Sequence, residues 1–218
     1  MELVPKLFVA GIYMGPPTQE QINRQRLNQV WADVAGKYDD YVQLQVSPDG
    51  RAAEFAGQMQ EEGVSIQPPL VQVRDAIRLT ADQSAEKAAD IFRTVARHLS
   101  IAQYFNLGVK HIYHFTPASN DARTFMLDVL GKADDDLADL GHDVSPGVKY
   151  YVPQPNAGHW MVEIEPLLYD PEGRTVIVSV DAQFGGPIAT DVIVQRCREA
   201  RDFAETGVKR YIDKASIS

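Results

Sequence analysis

Val148-Lys149-Tyr150-Tyr151-Val152, Trp160-Met161-Val162-Glu163-Ile164 and Val176-Ile177-Val178-Ser179-Val180 are three short runs in which core-type and outward-type residues alternate. A period of two marks a strand with one face turned to a core. Pro155-Asn156-Ala157 and Asp170-Pro171-Glu172-Gly173 separate the runs, so they read as an antiparallel meander. The same pattern occurs earlier in the chain. Val42, Leu44 and Val46 alternate with glutamines and Tyr41, then Ser47-Pro48-Asp49-Gly50 makes a turn. Ala53, Phe55 and Met59 continue the alternation, and a third strand from Leu70 to Leu79 follows Pro68-Pro69.

Four other segments carry a period of 3.6. They run from about Gln19 to Tyr38, Ser84 to Phe105, Asp121 to Leu140 and Asp191 to Ile212. Their apolar stripes include Leu27, Val30 and Val34; Phe92, Val95 and Leu99; Met126, Val129 and Leu130; and Ile193, Cys197 and Ala200. Thr18 with Gln21, Asn120, and Thr190 or Asp191 supply start signals, and Gly141 a stop for the third helix.

In order, these elements give strand, helix, three strands and helix, and then the same again. Gln19 matches Ala122, Tyr41 matches Val148, Leu70 matches Thr175 and Ser84 matches Asp191, at offsets between 103 and 107 residues. The expectation is an α+β fold made by tandem duplication of a β-α-β-β-β-α unit, with halves 1–107 and 108–218. Apolar strand faces and helix stripes bury each other most economically when all four helices pack on one side of an antiparallel sheet. This order is similar to that of the TATA-binding-protein-like and effector-binding folds, a likeness that carries no function.

Composition narrows the functional classes. The net charge is −9 and the basic residues are scattered, while Asp134-Asp135-Asp136 would repel phosphates. Nucleic-acid binding is therefore disfavoured. No run approaches the ~20 apolar residues that span a bilayer, and the first ten residues read as a strand rather than a signal peptide. The single cysteine, Cys197, excludes internal disulfides and multi-cysteine metal sites. The expected compartment is the cytoplasm.

Leu107-Gly108-Val109-Lys110-His111-Ile112-Tyr113, the strand Val176 to Asp181 and a closing amphipathic helix from Asp191 to Ile212 resemble a family of sporadically distributed, functionally uncharacterised bacterial α+β proteins. The likeness covers about half of the chain. The family places an arginine beside the tyrosine of the first segment, where this chain has Lys110-His111-Ile112. The resemblance implies an α+β fold and no reaction.

Three carboxylates stand out as ligand-binding candidates. With Glu172 centring the last turn, Lys149, Glu163 and Asp181 form a cross-strand row, with His159 and Glu165 on the same face. Adjacent carboxylates hold a cation or raise each other's pKa, whereas a solvated face would leave each pair worth only ~0–1 kcal/mol. Asp75 shares a strand face with Val73 and Ile77, so it must be paired, protonated or displaced by a bulge, or else face a ligand. His111 and His114 lie on opposite faces of a strand and cannot share a metal. Cys197 sits on an apolar stripe as a structural thiol, and His98 near a helix C-terminus as a structural base. No nucleophile elbow or Walker loop is present.

Packing thus absorbs most of the distinctive residues and leaves no acid–base–nucleophile set, cofactor motif or metal site. The sequence points to a non-enzymatic binding or assembly protein, acting as a homo-oligomer or with a protein partner. The competing expectation is a small-molecule sensor or enzyme with a pocket between the halves, lined by Trp31, Tyr104, Phe105, Tyr113, Phe115 and Trp160.

Overall fold

Phe8, Ala10 and Ile12 alternate with Val9, Gly11 and Tyr13 along β1 (Val4–Met14), and this alternation separates the two sides of the molecule. The computed structural model describes residues 2–15, 21–76, 80–131, 144–154 and 158–215. Thr18, Ile77, Leu79, the run Asp134-Asp135-Asp136, Gly141 and the turn Pro155-Asn156-Ala157 lie outside the described residues.

The other strands are β2 (Tyr41–Val46), β3 (Ala53–Gly57), β4 (Gly63–Gln67), β5 (Leu70–Asp75), β6 (Tyr104–Phe115), β7 (Val148–Pro153), β8 (His159–Pro166) and β9 (Val176–Ile188). They form one sheet of nine strands in the order β2-β3-β4-β5-β1-β6-β9-β8-β7, and every neighbouring pair is antiparallel. The α+β class and the antiparallel sheet are as expected. The first meander has four strands rather than three, because Gly63 to Gln67 is a strand of its own. Val64 and Ile66 alternate correctly there, but a run of five residues between Glu62 and Pro68 is too short to stand out.

Helices α1 (Arg24–Ala35), α2 (Ala81–Leu99), α3 (Ala122–Leu130) and α4 (Ile193–Asp202) follow the 3.6 period. A π-helical segment (Phe203–Val208) carries α4 directly into α5 (Lys209–Ala215). Start and stop positions differ from the expected ones for local reasons. Thr80 and Gln83 close a reciprocal capping box, so α2 starts three residues before Ser84. It ends at Leu99, and Tyr104 and Phe105 belong to β6. Asn23 and Asp121 cap α1 and α3 with their side chains, and Gly131 in the left-handed conformation ends α3.

The helices cover one face of the sheet. Phe8, Phe55, Val73, Val109, Tyr113, Val178 and Ile164 face them and are buried. Each such side chain contributes about 1.5–3 kcal/mol of transfer free energy. Near the middle, where β1 meets β6, α2 and α4 pack against each other. Asp82 of α2 accepts hydrogen bonds from Arg198 at 2.9 Å and Arg201 at 2.7 Å. No helix of the described residues is long and apolar enough to cross a membrane.

Candidate functional sites on two faces of the sheet

The three carboxylates singled out in the sequence lie on opposite faces. Asp75 ends β5 on the helix side and is 3% exposed. It stands opposite Phe8 in unbroken register, so no bulge displaces it. Its charge is met by α2 instead. The Ser84 hydroxyl donates to one carboxylate oxygen, and Lys87 Nζ donates to the other at 3.2 Å. Lys87 Nζ also donates to Asp40 at 2.7 Å, and its ammonium lies 4.9 Å from the centre of the Tyr41 ring.

Burial alone would pull the Lys87 ammonium down, but Asp40 and Asp75 outweigh it and hold its pKa above the ordinary lysine value. The Tyr41 hydroxyl is pushed up by burial, then by the charges of Asp75, Asp40 and Glu62. Among the described residues it has no hydrogen-bond partner. Ser84 and Lys87 have the spacing of serine–lysine nucleophile pairs. Here the serine is fully buried and its hydroxyl is committed to Asp75, so it has no route to a substrate. The cluster fastens α2 to the sheet and to the start of β2. Sequence reasoning found Asp75 and its need for a partner, but missed Lys87, Ser84 and Asp40. The signal was present: Ser84, Ala88, Ile91 and Val95 make one helical stripe, and Lys87 borders it.

Glu163 and Asp181 lie on the helix-free face. Lys149 stands opposite Glu163 and Tyr151 opposite Met161, as expected, and Lys149 Nζ is 2.6 Å from Glu163. Hydrogen bonding to Glu163 is the main cause that raises the Lys149 pKa. The expected row is broken one strand further on. Glu163 pairs with Ser179, and Asp181 pairs with Met161. The turn explains the shift. Asp170 accepts backbone N–H bonds from Glu172, Arg174 and Thr175, Leu167 bonds Thr175, and Gly173 takes a φ of 62°. The hairpin therefore centres on Pro171, which moves each pairing by two residues while keeping every side chain on its face. The two carboxylates do not meet. Asp181 instead accepts a hydrogen bond from Gln183.

Asp181 and Gln183 wall a shallow trough of about 190 Å³ at the centre of this face. Its other walls are Val9, Tyr13, Leu70, Gln72 and Lys110. Gly11 and Gly108 are direct register partners on the two middle strands and form its floor. A Cβ on Gly108 would come within 3.0 Å of the Gln183 amide, so this glycine gives the amide its place.

His111 and His114 do fall on opposite faces. His111 is 1% exposed beneath α4, with its ring 5.2 Å from that of Phe8. Burial pulls its pKa down to about 4. His98 lies in the last turn of α2, 2.7 Å from Asp33. Cys197 is buried on α4, and burial pushes its thiol up to about 12.

The six aromatic residues expected around a single pocket are dispersed. Tyr104, Tyr113 and Phe115 are core residues, and Trp31 packs edge-on against Phe55. Trp160 lies between Phe184 and Phe203, and Phe105 is partly exposed. Burial in the core accounts for Tyr104, Tyr113 and Phe115. No protein-family model matches this chain, and no curated protein matches it.

Proposed function

We propose that this chain is a non-enzymatic binding or assembly protein, acting by self-association or by holding a protein partner through its sheet. The observation that carries this reading is the division of the sheet: among the described residues the helices all lie on one face, and no helix covers the other across the nine strands. The polar clusters add support because their chemistry is already consumed by structure. Lys87 neutralises Asp75 and Asp40, Lys149 neutralises Glu163, and Arg74 Nη2 binds Glu54 at 2.6 Å. A broad antiparallel face with open edges presents both side chains and unpaired backbone groups to a partner. The test is the solution mass of the chain after gentle purification from its own host. Sedimentation above the 24.2 kDa of one chain supports the reading. A lone monomer at every concentration overturns it.

A second reading rests on the trough, which takes walls from both halves of the chain. Lys110, Asp181, Gln72 and Gln183 would offer a small polar ligand both charge signs and two amides. In that case Asp181→Asn should weaken retention of the ligand and leave the melting temperature unchanged. Asp75 has no part in this reading, since it lies on the opposite face.

A further inference from the structure

The two ends of the sheet are built differently. At one end, β7 carries Lys149 and Pro153, two residue types that discourage pairing with another strand. The other end is β2, Tyr41-Val42-Gln43-Leu44-Gln45-Val46, which holds no charged residue and no proline. Among the described residues nothing pairs with its outer edge. Val42 is 61% exposed, and Leu44 and Val46 are only partly buried.

Helix α1 extends this flank without adding a carboxylate to it. Arg26 and Asp33 reach across to Ser100 and Arg97, which marks the side of α1 that faces α2. Leu27, Val30 and Val34 face the sheet. By helical geometry the stripe through Arg24, Asn28, Trp31 and Ala35 is therefore turned to the β2 end. Trp31 is partly buried there against Phe55, and Arg24 is engaged with the Ser47 carbonyl at 3.1 Å. No carboxylate lies on this stripe.

We propose that a second copy of this chain pairs with β2 edge to edge, antiparallel, about a twofold axis through Leu44. The proposal rests on the assembly reading above and names its partner and surface. Twofold pairing requires an edge that complements itself. Centred on Leu44, it sets Gln43 opposite Gln45 on the helix-free face, where two amides donate and accept reciprocally. On the other face Leu44 meets its own copy, close to both Trp31 rings. No charge meets its like within the paired residues. That matters for a chain of net charge −9, whose copies repel each other elsewhere. Asp39 and Asp49 flank the edge beyond the paired residues, so added salt should strengthen the dimer by screening.

The test uses the full chain and two charged variants, Gln43→Glu/Gln45→Glu and Gln43→Lys/Gln45→Lys, with sedimentation equilibrium as the readout. The unaltered chain is expected to approach twice 24.2 kDa at micromolar concentration. Each variant alone should dimerise at least about tenfold more weakly. An equimolar mixture of the two should recover a heterodimer, which misfolded chains would not form. Variants that associate as the unaltered chain does overturn the proposal. If Tyr151→Glu/Met161→Glu disperses an oligomer that the β2 variants leave intact, the β2 proposal falls and the assembly reading stands. A chain that is monomeric and unaccompanied when drawn from its host removes both.

Discussion

Lys87 Nζ lies 3.2 Å from Asp75 and 2.7 Å from Asp40, with the Lys87 and Asp75 side chains only 3% and 4% exposed. A buried ion pair of this kind adds little over well-packed apolar residues, but breaking one side of it is costly. Lys87→Ala should therefore destabilise the protein by about 3–5 kcal/mol, because it leaves Asp75 buried and unpaired. The double variant Asp75→Asn/Lys87→Met should lose markedly less. Urea-unfolding midpoints decide between them, and equal losses would show that packing rather than charge sets the cost. Asp75→Asn alone should also lower stability, as suits a structural carboxylate.

Gly57 tests the same end of the sheet. An added Cβ would sit 2.3 Å from the Glu62 Cβ and 3.0 Å from its carbonyl oxygen. Neither atom is the far end of a flexible side chain, so β3 and β4 must separate. Gly57→Ala should cost about 1–3 kcal/mol, the range of an overpacked core. An unchanged melting temperature would contradict the close approach.

Much of this architecture was legible in residue patterns, and the failures are local. Alternation placed Val71, Val73 and Asp75 on one face because the strand period admits only two sides. It also placed His111 and His114 on opposite sides. It did not reveal β4, since five residues carry too few repeats, and it did not fix the β8–β9 register. That register depends on the Asp170 carboxylate gathering three backbone amides, which a turn sequence does not spell out. Asp75 was visible as an anomaly, whereas its partner Lys87 carried no comparable mark. Only the tertiary approach of α2 to β5 joins them. A duplication of the unit is a proposal that rests on the shared element order, and among the described residues the halves differ by one strand.

His111 should make stability depend on pH. Its folded pKa is lowered to about 4 by burial, against an ordinary value of about 6.5. The unfolded chain therefore binds more protons between these values. Stability should be complete above about pH 6.5 and decline as the pH falls towards 4, by on the order of 3 kcal/mol. His111→Leu should flatten this slope. Urea titrations at pH 7 and pH 5 measure it, and an identical slope in the variant would place its origin elsewhere.

Assembly, rather than the holding of a small molecule, is the function proposed for this chain. Native mass spectrometry of protein purified gently from its own host tests that most directly, since one spectrum reports both stoichiometry and retained ligands. The expected result is a homo-oligomer, or a complex with another polypeptide, carrying no stoichiometric small mass. A monomer with a fixed small extra mass would contradict the claim, and the central trough beside Asp181 would become the site to pursue.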